Sequence, residues 1–197
     1  KKVSGRYYSR MSTSRLPELI ERLGNLLRAG QRRAAGGLQP VHLQVLGYLA
    51  RCNRFSDTPA ALTAFLDATK GTVSQTLAVL ERDGLVERRA DPDDRRVVHF
   101  SLTPAGRGEL NASELPHGWA AALADLPARD REAATAVLEH LLGNLQRRND
   151  GRTFGACRSC RHLQRAGRQY RCGLNGETLS ADDTQRICHE HAYADNG

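Results

Sequence analysis

The 197-residue chain contains no run of the about 18 apolar residues that a membrane-spanning helix requires. Its opening stretch also lacks the apolar centre of a secretory signal, so a cytoplasmic location with no membrane partner is expected. The signatures of familiar enzyme chemistry are missing too. His189-Glu190-His191 cannot set two imidazoles on one helical face as the H-E-x-x-H of zinc proteases does. Cys157-x-x-Cys160 has no upstream H-x-E of a zinc deaminase and no thioredoxin-like βαβ surroundings. With no catalytic constellation and no internal repeat, the chain is not expected to be an enzyme. What it does have is 40% hydrophobic residues, enough for one good-sized core, and an excess of basic side chains, +7 with a pI near 9.5.

That excess favours an anionic partner, but its placement matters more than its size. Between residues 68 and 103, six basic side chains (Lys70, Arg82, Arg88, Arg89, Arg95, Arg96) meet six acidic ones (Glu81, Asp83, Glu87, Asp91, Asp93, Asp94). The same stretch has the clearest periodicity. Val73, Leu77 and Leu80 form an apolar stripe on a helix whose other face carries Lys70, Thr72, Ser74, Gln75 and Arg82. Gly84 stops that helix. Leu85 and Val86 open a strand that returns as Val97 to Leu102, around a charged tip spanning Ala90 to Arg96.

Upstream, Leu16, Leu19, Ile20, Leu23, Leu26 and Leu27 predict a long amphipathic helix over Leu16 to Arg33, ended by Gly36 and Gly37. Gln39 and Pro40 start a second helix with Val41, Val45, Leu46 and Leu49 inward, and Cys52 near its end reads as a small buried hydrophobe. Thr58 and Pro59 start a short helix with Leu62, Phe65 and Leu66. Asp67 to Lys70 then turns into the Val73 helix, which makes a helix-turn-helix. Pro104 begins another helix, interrupted near Leu115 and Pro116. A last one runs from about Pro127 to Arg147, with Val137, Leu138, Leu141, Leu142 and Leu145 on one side. Residues 1–14 read as a disordered arm or tag remnant, 15–148 as the DNA-binding and dimerisation domain, 149–155 as a linker and 156–197 as a cysteine-rich module. The expected fold class is mostly α with a small β-wing.

The runs LQPVHLQVLGYLARC, TKGTVSQTLAVLERDGLVERR and DPDDRRVVHFSLTPAGR resemble the winged helix-turn-helix of the MarR (multiple antibiotic resistance regulator) family. The most specific part is Asp94-x-Arg96, five residues, then Leu102-Thr103, with Gly84-Leu85 closing the recognition helix; the resemblance spans residues 15 to 148. It implies a homodimer built by the first and last two helices, on double-stranded DNA with a palindromic operator. Recognition helices would enter successive major grooves and wings the minor grooves. It also implies that Thr69, Lys70, Thr72, Ser74 and Gln75 face the groove, that Arg95 and Arg96 sit at the wing tip, and that Asp94 orients Arg96. The chemistry agrees: Ser, Thr and Lys position on phosphates, Gln pairs with adenine, and Arg suits a narrow minor groove.

Four of the five cysteines follow residue 156, and such a tail departs from the family pattern. Cys157-x-x-Cys160, eleven residues, Cys172, fifteen residues and Cys188 put four thiols within 32 residues. A C-x-x-C turn lets two sulfurs reach one metal, and the other two complete a tetrahedron. Zinc on the four cysteines is the first reading, an iron-sulfur cluster on the same four the second, and disulfides the third. His162, His189 or His191 could replace a cysteine or simply lie at the surface. Leu179 to Cys188 is expected to be helical, with Ser180 as N-cap and Asp182 and Asp183 in the first turn, so that Cys188 sits at a helix end. The expected function is a transcriptional repressor whose tail is structural or senses metal or redox state. The alternative is a DNA-tethered module whose zinc tail docks a protein partner.

Overall fold

The computed structural model describes residues 15–34, 37–92, 94–113, 118–148, 153–167 and 169–193. The arm expected over 1–14, the stop at Gly36, the break at Leu115 and Pro116, and residues 149–152 of the expected linker lie outside these.

Among the described residues, α1 (Leu16–Ala34), α2 (Pro40–Arg51), α3 (Pro59–Leu66) and α4 (Lys70–Arg82) precede the hairpin β1 (Val86–Ala90) and β2 (Val98–Leu102). Then come α5 (Pro104–Ser113), α6 (Trp119–Ala124) and α7 (Ala128–Arg148). Local chemistry accounts for the ends. The Thr58 hydroxyl accepts from the Ala61 amide and Thr69 from Thr72, so α3 and α4 each start on a side-chain cap. Gly84 leaves α4 at φ +69°, a conformation that a Cβ resists.

The core joins α2, α3, α4 and the hairpin. Val45, Leu46, Tyr48, Leu62, Val73 and Leu80 are almost wholly buried, each apolar side chain stabilising by about 1.5–3 kcal/mol. Leu43 and Tyr48 join the inward face of α2, while Val41 is only half-buried. Burying Tyr48 requires a partner for its hydroxyl, and it donates to the Ser56 carbonyl at 2.8 Å. Gly106 lets α5 press on the hairpin's root, because a Cβ there would stand 2.0 Å from the Leu85 carbonyl oxygen.

The hairpin differs from expectation by one residue at three places: Leu85 at the root and Val97 at the tip lie outside the strands, and Ala90, expected in the tip, belongs to β1. The Leu85 amide donates to Leu80 O, closing α4, and the Val97 amide donates to Asp94 O, closing the tip turn, so neither joins the ladder. β1 and β2 pair antiparallel, with Val86 opposite Leu102 and Ala90 opposite Val98.

The tail is mainly β-structure. β3 (Thr153–Ala156) pairs with β7 (Ile187–His191), and β4 (Leu163–Ala166), β5 (Gln169–Cys172) and β6 (Thr178–Leu179) form a small antiparallel sheet. Two expectations are corrected here. Residues 153–155 are strand, not linker. The segment from Leu179 to Cys188 is not a helix: Ser180 and Asp183 do exchange the reciprocal bonds of a cap, but only one 3-10 turn, Asp183–Gln185, follows. Cys188 therefore lies on β7. Tertiary pairing outweighs the cap, because Ile187 packs on the core and its carbonyl accepts from Asn53.

The tail packs against the winged helix. Phe154 meets Phe65 edge-on at 5.3 Å, and Phe65 in turn packs on Tyr48. At the other side Arg147 of α7 lies over the Tyr193 ring. No helix among the described residues is long and apolar enough to cross a membrane.

Candidate nucleic-acid interface and cysteine cavity

α4 buries Val73, Thr76, Leu77 and Leu80, and the residues between them point outward. Thr69, Lys70, Thr72, Ser74 and Gln75 are all exposed along its first two turns. Thr69 and Thr72 are partly engaged already, since their hydroxyls bond each other at 2.9 Å and Thr69 caps the helix. Lys70, Ser74 and Gln75 are thus the freest to meet a partner.

At the hairpin tip, Asp94 grips Arg96 by a two-point ion pair, Nε to Oδ1 at 2.9 Å and Nη2 to Oδ2 at 2.8 Å. The Arg96 amide also donates to Asp94 Oδ1. These bonds hold the Asp94 carboxyl below its ordinary pKa, yet the Arg96 side chain remains 90% exposed. So Asp94 fixes the direction of a guanidinium that still faces outward. Arg95 is exposed beside it.

Near its tip the hairpin holds a group that sequence reasoning missed. His99 is buried on β2, with Nδ1 against Asp57 Oδ1 and Nε2 3.0 Å from Asp91 Oδ2. Burial works against its charged form, but the bonds to Asp57 and Asp91 outweigh it and raise the pKa. Asp91 also accepts from the Asp94 amide at 2.8 Å. An Asp-His-Asp bridge therefore ties the turn after α2 to the tip turn that aims Arg96.

In the tail, Cys157, Cys160, Cys172 and Cys188 line one cavity of about 70 Å³, with Asn53, His162 and Glu190. The spacing motif therefore brings all four expected cysteines together, Cys157 and Cys160 from the 3-10 turn Cys157–Ser159 and its C-cap, Cys172 from the end of β5 and Cys188 from β7. No three His, Cys, Asp or Glu side chains among the described residues are grouped closely enough to hold a metal ion. Of the three candidate histidines, His162 lines the cavity. His189 bonds Ser56 and Glu190, and the buried His191 contacts Ser159 and Tyr193. All five cysteines are free thiols.

The interaction between Cys157 and Cys188 lowers the Cys188 pKa, against the cost of burial, and raises that of Cys157. Asn53 donates to Cys157 Sγ at 3.7 Å and the Ala192 amide to Cys160 Sγ at 3.5 Å. Cys52 stands apart as the expected buried hydrophobe, its thiol pushed up to about 12 by burial.

Comparison with known proteins bears on the first of these two features. Residues 36–97 match the model of the MarR family. An uncharacterized HTH-type transcriptional regulator of Bacillus subtilis strain 168, YdgJ, is 27% identical over 114 residues, 57% of this chain and 68% of that protein. Among solved structures, wild-type apo MarR of E. coli is 22% identical, covering 66% of this chain and 99% of its own, with a TM-score of 0.51. The S. aureus MepR–DNA complex is 23% identical, with coverages of 65% and 96% and a TM-score of 0.50. These likenesses establish the winged helix-turn-helix fold. The family match ends before the cysteine tail.

Proposed function

We propose, from a winged helix-turn-helix whose residues 36–97 match the MarR family model, that this chain is a dimeric, sequence-specific transcriptional repressor. One observation carries the reading: the outward face of α4 and an Arg96 held outward by Asp94 belong to a helix and a hairpin that share one core. Lys70, Ser74 and Gln75 enter a major groove, with Thr69 and Thr72 at the helix N-terminus near phosphate. Arg96, with Arg95 beside it, reaches the adjacent minor groove. The MepR complex is bound to DNA, which supports this assignment.

Dimerisation is supported by apolar side chains that the isolated chain leaves exposed. Leu19, Ile20, Leu23 and Leu26 on α1 and Val137, Leu138, Leu142 and Leu145 on α7 are all exposed. Pairing these helices in a two-fold dimer covers them and presents two α4 helices to a palindromic operator. Selection from random double-stranded oligonucleotides with the purified chain tests this. A two-fold symmetric enriched sequence is expected, and an unenriched pool rejects it.

The four cysteines fit a thiolate-ligated metal centre, since they share one cavity and receive N–H bonds to sulfur. The four thiolates suit zinc, with an iron-sulfur cluster on the same four cysteines as the alternative. A bound centre would link β5, β7 and the 3-10 turn and supply folding free energy that so small a core lacks. Protein purified without oxygen should be colourless with about one zinc per chain. A brown protein with visible absorption replaces zinc by the cluster, and a protein with neither overturns the centre.

A further inference from the structure

The cysteine cavity is not built by the tail alone. Asn53, from the turn after α2, is 2% exposed, and its side-chain amide donates to Cys157 Sγ at 3.7 Å. Its oxygen is held in place by the Ser56 hydroxyl at 2.7 Å and the Phe55 amide at 3.2 Å. Ser56 is fully buried and accepts from the His189 amide at 3.0 Å, one residue beyond Cys188. The turn thus holds both the 3-10 turn and β7 by the residues that carry thiols.

The same turn holds the hairpin. The Asp57 carbonyl accepts from the Phe100 amide at 2.8 Å and its carboxylate bonds His99. His99 bonds Asp91, Asp91 bonds the Asp94 amide, and Asp94 grips Arg96. Side chains and one short turn form an unbroken path from Cys157 to Arg96, through groups that are mostly buried and so have few alternative partners.

We propose that Asn53 is a fifth residue of the four-cysteine site, and that the turn Asn53–Asp57, with His99 and Asp91, transmits the state of that site to the wing. This rests on the DNA-binding reading above and adds its regulation. Any change that moves Cys157 or Cys188 must either break the Asn53 and Ser56 bonds or carry the turn with them. The turn then shifts Asp57, and the wing loses its anchor. A tail that acted only through α7, altering the separation of the two recognition helices, would need none of these residues.

A double-mutant cycle on a selected operator tests the path. Cys188→Ser should change operator affinity by about tenfold, within the range of ordinary coupling between sites. In a His99→Gln background, the same Cys188→Ser change should have an effect below about twofold. Equal effects of Cys188→Ser in both backgrounds overturn the proposal. A chain that binds no operator in any form overturns the DNA-binding reading instead. A readout independent of DNA and of a folded double variant is the nitrogen NMR signal of the His99 ring. It should move in Asn53→Ala and in Cys188→Ser, and an unmoved signal in both variants overturns the path.

Discussion

Replacing Arg96 with Ala removes the guanidinium at the wing tip and little else. Its side chain is 90% exposed and its ion pair with Asp94 lies at the surface, where such pairs add little to stability. Melting temperature should therefore stay within a degree or two of the parent. Binding is another matter, because a dimer carries two wings. At roughly tenfold per lost contact, the operator Kd should rise about a hundredfold. If the contacts neutralise phosphate charge, the slope of log K against log salt should become shallower by about 1.8, or 0.9 for each arginine. Fluorescence anisotropy on a labelled operator, repeated across salt concentrations, measures both. Asp94→Ala provides the contrast: it keeps the positive charge but releases its aim, so affinity should fall by only a few fold with the salt slope retained. An unchanged Kd for Arg96→Ala would refute the role of the wing. So would a loss of binding accompanied by a large drop in melting temperature, since the residue would then act on folding.

Other perturbations probe the parts that hold this interface. His99→Gln should separate from the parent in a pH-dependent way. The folded pKa of His99 is raised above the ordinary 6.5, so its stabilising contribution is complete below pH 6.5 and disappears as pH rises through the folded value. The groups facing it are Asp57, Asp91 and Arg89, and the difference in melting temperature between parent and variant should shrink on the alkaline side. A constant difference from pH 5 to 9 rejects the bridge as drawn. Gly106→Ala should destabilise by roughly 3 kcal/mol in chemical denaturation, because its Cβ would meet the Leu85 carbonyl at 2.0 Å. Leu142→Glu, on the exposed face of α7, should leave helix content intact and yield monomers in sedimentation equilibrium, with weakened operator binding.

The helices were legible because their signals are local. Thr58-Pro59, Thr69 and Gly84 each set a boundary through a cap or a positive φ, and Val73, Leu77 and Leu80 proved to be one buried face. The convergence of four cysteines on one cavity followed from spacing as well. The secondary structure around them did not. Ser180 and Asp183 make the cap that the sequence advertises, yet the chain leaves it after one turn because Ile187 gains a core contact and a backbone partner from residues more than a hundred positions earlier. The β4–β5 hairpin had a readable turn in Gly167, at φ +60°, but short polar strands give weak alternation. Asn53, Ser56, Asp57 and His99 carried no signal at all. Polar residues in a turn usually face water, and only the docking of the tail and hairpin onto that turn buries them.

The most direct measurement attaches a photo-crosslinking residue at position 75 on α4 and, separately, at position 96 on the wing, and maps the crosslinks on the selected operator. A major-groove base crosslinked from position 75 and a flanking minor-groove nucleotide from position 96, repeated with two-fold symmetry, is the expected result. Retention of full operator affinity with crosslinks from neither position would mean that DNA meets some other surface of this chain.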